Sequence, residues 1–234
     1  QEAQREAEEP PTAPPPEPKR SIGAWIRDHY AVADPRTLGL FRLALGFLLT
    51  ADGIRHWVEA ETFYSNEGVL TNHFHLFRPS SGHNFSLYHA FSTLPEVHLA
   101  FAVSCLCYFL FFIGFKTRLF SILSFVLVTS MDNRLVMIEN GGYVVVNLAA
   151  CWAMFMPTGR RFSVDALIRS YRERRERKTA DLNVRFRPAW THEPFVSGVM
   201  ILAIVNLAFV YFFNVVNKSG QIWRAGTRFI MSST

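Results

Sequence analysis

Long runs of apolar residues alternate with polar blocks along this chain of 234 residues. The runs cover residues 37–54, 97–115, 119–138, 141–157 and 195–214. Each has roughly the 17–25 residues with which a helix crosses about 30 Å of hydrocarbon. The second and fifth runs carry no charge beyond their first positions, whereas the first and third contain charged residues. The pattern predicts an all-α fold, a polytopic helical membrane bundle of about five transmembrane helices.

The N-terminal segments predict two pieces outside the membrane. Residues 1–20 hold six prolines, five glutamates and no aromatic residue, so they form a tail that is disordered or bound to a partner. Residues 21–34 predict a short amphipathic helix, either at the membrane interface or packed in a core. Asp34 can cap the next helix, and Pro35 suits its first turn. The transmembrane domain then comprises residues 35–234.

Basic residues in the loops predict the orientation. If the N-terminus is cytoplasmic, 17 of the 24 Lys and Arg residues lie on the cytoplasmic side and six on the other. This distribution predicts a bacterial-type inner membrane protein with a periplasmic C-terminus. The stretch 163–177 predicts a basic helix along the cytoplasmic face, with Ser163 as its N-cap and Asp165 in its first turn. Its arginines either meet anionic lipid headgroups or form a solvated charged face.

Charge and cysteine content remove other classes of protein. The net charge of +5 comes from arginines beside apolar runs, a pattern typical of a membrane face and not of nucleic-acid binding. All three cysteines, Cys105, Cys107 and Cys151, lie inside apolar runs. They predict small packing residues and no disulfide framework.

The predicted outer loop, residues 55–96, is rich in aromatic residues and contains five histidines. Such a loop predicts a lid that packs on the outer ends of the helices. Imidazoles also bind zinc or copper, but no acidic or thiol partner lies at a diagnostic spacing. We therefore predict interfacial histidines and no metal site. The histidines are His56, His73, His75, His83 and His89.

Few polar residues lie in or beside the apolar runs. Arg42, inside the first run, either faces the bundle interior or extends to the cytoplasmic headgroups. A polar group between the third and fourth runs forms either a structural ion-pair cluster or a functional site below the lid. Asn147 predicts an interhelical hydrogen bond. The candidate site residues are Arg42, Asp132, Asn133, Arg134, Glu139 and Asn140.

Four segments resemble the HTTM (horizontally transferred transmembrane) domain family, which is related to the membrane part of vitamin K-dependent γ-carboxylase. The segments are PRTLGLFRLALG (35–46), FYSNEGVL (63–70), ENGGYVVVNLAACWAMFMPTGRRFSVDAL (139–167) and NKSGQIWRAGTRF (217–229). The resemblance covers most of residues 35–230. It implies a helical membrane bundle with its active side in the lumen or periplasm.

The resemblance also implies a chemistry that this sequence only partly retains. In the carboxylase, a reduced quinone is oxygenated, and the resulting base removes a proton from a peptidyl glutamate. The catalytic lysine belongs to the polar stretch before the equivalent of Asn140. This chain has no lysine between Lys116 and Lys178, and Arg134 is too basic to act readily as a general base.

Two functions follow from these observations. The first is a non-catalytic membrane subunit or scaffold of a larger complex, with no cofactor. It would contact membrane lipids, and it would bind other membrane protein subunits through residues 1–20 and 163–178. The alternative is a carboxylase-related membrane enzyme, or a protein that binds a quinone or lipid, with its site on the periplasmic side. A transporter is disfavoured because no internal repeat is visible.

Overall fold

The computed structural model describes residues 21, 23, 32–69, 71, 86–134, 141–179, 195–196 and 198–216. Within this part of the chain the fold is helical, apart from two short strands. The α-helices are α1 (Pro35–Val58), α2 (Ala60–Tyr64), α3 (Leu94–Ile113), α4 (Thr117–Arg134), α5 (Gly141–Phe155), α6 (Val164–Thr179) and α7 (Gly198–Val216). A 3-10 helix spans Leu87–Ala90, and the strands are β1 (Val32–Ala33) and β2 (Phe195–Val196).

The start of α1 follows from local sequence chemistry. The side chain of Asp34 accepts a hydrogen bond from the Arg36 N–H at 2.8 Å, and Pro35 occupies the first turn. Both predictions are confirmed. The helix predicted over 21–34 does not include Val32–Ala33, which pairs antiparallel with Phe195–Val196. A proline disfavours helical geometry in the residue before it, and Asp34 is extended at φ −72°, ψ 129°.

The four helices α1, α3, α4 and α5 pack side by side in alternating directions. Trp57, near the end of α1, donates from Nε1 to His98 Nδ1 near the start of α3 at 2.8 Å. Asp132, near the end of α4, accepts from Asn147 in the first half of α5. The β1–β2 pair brings the start of α7 to the start of α1. We call the end of the bundle where α1 begins the Arg42 end, and the opposite end the His56 end.

Close backbone approach sets the contact between α1 and α3. A Cβ added at Gly46 would lie 2.7 Å from the Phe112 Cα, so only glycine lets the two helices approach this closely. Two turns farther along, Gly53 faces the buried ring of Tyr108 on α3. Buried apolar residues form the rest of the core between the four helices. These include Leu45, Phe101, Phe111, Val128, Met131 and Ala150.

The distribution of polarity is the reverse of that in a water-soluble bundle. Large apolar side chains such as Phe47, Leu99 and Phe109 point outward, whereas serines and charged groups are enclosed. A contiguous apolar exterior of this kind requires lipid or protein as its surroundings. The enclosed polar residues include Arg42, Ser104, Ser121, Ser124, Ser130, Asp132 and Arg134.

Among the residues that the structure describes, three helices are long and apolar enough to cross a membrane, namely α1, α3 and α7. They match the first, second and fifth predicted runs. The helix of the second run, α3, ends at Ile113 and not at residue 115, because Gly114 adopts φ +74° and caps it. The fourth run forms the shorter apolar helix α5 of 15 residues, and the third forms α4 of 18 residues.

Candidate functional site

Arg42 is fully enclosed at the Arg42 end, with 0% of its surface exposed. Its Nη1 donates to the Phe111 carbonyl at 2.9 Å and to the Phe112 carbonyl, and its Nη2 donates to the Phe162 carbonyl. The first two carbonyls belong to the last turn of α3, where the helix dipole favours a cation. Of the two sequence interpretations, the structure supports the interior one. The guanidinium joins α1 to the end of α3 and to the segment before α6.

Asp165 stabilises the start of α4 at the same end of the bundle. Its Oδ1 accepts from the Lys116 N–H at 2.8 Å, and its Oδ2 accepts from the Thr117 N–H and hydroxyl, both at 2.7 Å. Ser163 caps α6, as predicted, since its Oγ accepts from the Ala166 N–H at 3.0 Å. Asp165 therefore caps a neighbouring helix in addition to lying in the first turn of its own. These contacts hold the starts of α4 and α6 together beside Arg42.

His56 is the centre of a second polar group, at the His56 end. The Tyr64 hydroxyl lies 3.2 Å from its Nδ1, and the Tyr143 hydroxyl lies 3.5 Å from its Nε2. Arg55 Nη2 is 2.9 Å from the same Nε2 and 3.0 Å from Asp52 Oδ1. The imidazole thus connects α1 with α2 and with α5. It stands between two phenols and a charged pair, an arrangement that can pass a proton from one ring nitrogen to the other.

Asp132 and Asn147 join α4 to α5 close to this histidine group. Asn147 Nδ2 donates to Asp132 Oδ2 at 2.6 Å, and its Oδ1 accepts from the Thr129 hydroxyl at 3.1 Å. The interhelical hydrogen bond predicted for Asn147 is confirmed. Arg134 ends α4 with none of its surface exposed, and Ser86 donates to the Ser130 carbonyl. These hydrogen bonds therefore extend the polar group at the His56 end from α1 to α4 and α5.

Aromatic rings from the predicted outer loop enclose this polar group. Tyr64 and Tyr88 pack on Phe101 of α3 with centroid distances of 4.8 and 5.1 Å. Burial raises the pKa of both phenols, so each hydroxyl stays protonated at neutral pH. Burial, and then the charge of Arg134, lower the pKa of His89, so its imidazole is neutral at pH 7. The hydroxyls of Tyr64 and Tyr88 and the imidazole of His89 are therefore uncharged in this enclosure.

Four of the six candidate residues chosen from the sequence lie in the described part of the chain, and the structure separates Arg42 from the other three. Asp132, Asn133 and Arg134 lie together at the His56 end, about 20 Å along the helix axes from the level of Arg42. Glu139 and Asn140 lie outside the described residues, as do residues 1–20, His73, His75 and His83. Within the described part of the chain, no three His, Cys, Asp or Glu side chains form a group that could hold a metal ion.

Sequence reasoning missed the central position of His56 and its partners Tyr64 and Tyr143. The predicted first run ends at residue 54, so His56 was assigned to the loop, whereas α1 continues to Val58. The spacing of Asp52, Arg55 and His56 was a usable signal, since residues three and four apart share one face of a helix. Nothing in the sequence indicated that Tyr143, 87 residues away, meets the same imidazole.

The helix α7 contributes no buried residue, although it is 19 residues long. It leaves an apolar groove of about 370 Å³ between itself, α1 and α5. Trp152 Nε1 and Asn206 Oδ1 are enclosed at this groove, and neither has a hydrogen-bond partner among the described residues. A polar amide halfway along an apolar helix is costly unless another group pairs with it.

No family model, no curated protein and no solved structure matches the chain.

Proposed function

We propose that this chain is an integral membrane subunit, or scaffold, of a larger membrane complex, with an HTTM-like transmembrane domain of five spans. The alternating directions of α1, α3, α4 and α5 support the count, since α4 and α5 run beside helices that are long enough to cross a membrane. The excess of basic loop residues supports a cytoplasmic Arg42 end in a bacterial-type inner membrane.

The observation that carries this proposal is the unburied state of α7. Aromatic and branched side chains extend around the whole helix, and Phe209, Phe212 and Val215 each expose more than half of their surface. A span that belongs only to its own bundle usually buries one face. The groove beside α7 is open, and the Asn206 amide enclosed there has an oxygen to which lipid chains cannot donate a hydrogen bond. A helix from another subunit, with a hydrogen-bonding side chain at mid-membrane depth, would supply what is missing.

Partner binding at α7 can be tested by native mass spectrometry after purification in mild detergent. The wild-type chain should co-purify with a stoichiometric membrane subunit, and Asn206→Leu should weaken this association. Asn214→Leu is the matched control, because Asn214 is exposed near the end of the same helix and does not line the groove. Monomers in every preparation, or equal losses in both variants, would contradict the proposal.

The orientation has its own test in intact cells. With the native cysteines replaced, a single cysteine at Glu67 should react with a membrane-impermeant maleimide, because Glu67 is exposed at the His56 end. A single cysteine at Arg172, in the basic helix α6, should react only after the membrane is opened. The reverse labelling pattern would show that the bundle is inserted the other way.

The His56 group favours a second candidate, a membrane enzyme or a quinone- or lipid-binding protein related to the carboxylase. Two protonated phenols beside one imidazole, under an aromatic cover, are groups that bind or protonate a ligand carbonyl. The absent lysine argues against the carboxylase reaction itself. His56→Gln should abolish retention of an extractable lipophile or activity while the bundle still assembles. His98→Gln is the control, since His98 is an exposed histidine on α3.

A further inference from the structure

A cavity at the Arg42 end is used by none of the functions above. It has a volume of about 480 Å³ and lies between the start of α4, the end of α5 and the start of α6. Small-molecule sites in proteins usually have volumes of about 300–1,000 Å³. The cavity is therefore large enough for a headgroup and not merely for water.

The charged residues of the cavity wall favour an anion. Arg118, Arg160 and Arg169 line it, from α4, the turn after α5, and α6. Among the described residues of the wall, Asp165 is the one carboxylate, and both of its oxygens accept hydrogen bonds at the start of α4. That carboxylate is therefore committed to a helix cap, and the guanidinium groups of three separate elements give the wall an excess of positive charge.

Ser121 adds a buried hydrogen-bond donor to the same wall. It lies one turn beyond Thr117 on α4 and is only 2% exposed. Its hydroxyl has no hydrogen-bond partner among the described residues. A buried hydroxyl without a partner costs free energy unless a ligand or water completes it. Its place in the cavity wall makes it available to an oxygen of a bound anion.

One part of the wall is apolar. Phe155 ends α5 with 60% of its surface exposed, and Met156 and Pro157 continue the wall from it. A ligand that fills the cavity therefore needs an anionic group for the arginines and an apolar part that follows α5 toward the bilayer. From this combination we infer that the cavity binds the phosphate group of an anionic phospholipid, seated at the headgroup level of the Arg42 end.

The test uses the full chain in detergent micelles supplied with phosphatidylglycerol, phosphatidylcholine or both, and native mass spectrometry to count bound lipids. The wild-type chain should retain phosphatidylglycerol in preference to phosphatidylcholine. Arg118→Gln and Arg160→Gln should each weaken this retention about fivefold, the loss expected for one basic residue at an anionic surface. Ser121→Ala should also weaken it, and Arg172→Gln, on an exposed part of α6 outside the cavity, should not.

Three results would overturn the inference. Equal retention of the two lipids would show that the cavity does not recognise the anionic group. An equal loss in Arg172→Gln and Arg160→Gln would show that the basic surface as a whole attracts lipid. Inorganic phosphate, added to delipidated protein, distinguishes the source of the ligand: phosphate binding that is lost in Arg160→Gln, without retention of phosphatidylglycerol, would keep the phosphate chemistry but refute a lipid ligand.

Discussion

Replacing Arg42 by methionine is the sharpest single test of the structure. Methionine keeps an unbranched, apolar side chain in the interior but removes every donor. The carbonyl of Phe111 would still accept the Gly114 N–H at 3.1 Å. The carbonyls of Phe112 and Phe162 would lose the guanidinium that now binds them.

The expected cost follows from those two carbonyls. A hydrogen bond to a charged group contributes about 1.5–3 kcal/mol, and a buried acceptor without a donor costs a similar amount. We therefore expect Arg42→Met to lower the free energy of unfolding by about 3 kcal/mol or more. At roughly 2–4 °C per kcal/mol for a chain of this size, the midpoint of thermal unfolding should fall by at least about 6 °C. The melting midpoint of Arg42→Lys should lie between those of the wild type and Arg42→Met, since an ammonium keeps the charge but not the forked geometry of the guanidinium.

A thiol-reactive fluorophore can follow unfolding in mild detergent, because Cys107 is only 8% exposed and reacts when the bundle opens. Arg36→Met is the matched control. Arg36 is an exposed arginine on the same helix, and only its backbone N–H bonds to Asp34. If Arg42→Met and Arg36→Met both unfold at the wild-type temperature, Arg42 does not join α1 to α3, and the argument for its structural role fails.

Three further predictions concern stability. Gly46→Ala should cost about 1–3 kcal/mol through overpacking against the α3 backbone, whereas Gly141→Ala, where an added Cβ meets nothing within 4 Å, should be nearly neutral in the same melting assay. Asp165→Ala should cost about 1–2 kcal/mol by removing the cap of α4, and Glu176→Ala, exposed on α6, should leave the midpoint unchanged. Folding lowers the pKa of His89, so on acidification the unfolded chain binds a proton at this residue before the folded chain does. The free energy of unfolding should therefore fall as the pH drops below the ordinary His pKa of 6.5. His89→Gln should reduce that fall in melting curves recorded across this pH range.

Features that depend on neighbouring residues were predictable from the sequence. The Asp34–Pro35 start of α1 and the Ser163 cap of α6 rest on contacts within three residues. The apolar runs gave the positions of the long helices because lipid requires a nearly continuous apolar segment. Asn147 was also predictable, since an amide inside a membrane helix has few ways to be satisfied other than by a neighbouring helix.

Features that depend on distant pairing were not predictable. The sequence placed Arg42 in one candidate cluster with Asp132, although they lie at opposite ends of the bundle. The carbonyl partners of Arg42 are 69, 70 and 120 residues away. Every residue has a backbone carbonyl, so residue type does not indicate which carbonyl accepts the bond. The meeting of His56 with Tyr143 likewise depends on how α1 and α5 pack, which periodicity alone does not specify. The β1 strand was missed because its partner lies beyond all the intervening helices.

The contacts of Arg42 set an order on biogenesis. The guanidinium is synthesised 69 residues before the first carbonyl that it binds. At about 5–20 residues per second, the ribosome takes roughly 3–14 s to reach that point. During this interval the guanidinium lacks its native acceptors, so its long side chain has to reach water or headgroups at the Arg42 end. A longer pause in translation between the two segments would therefore lengthen the time for which α1 has no link to α3.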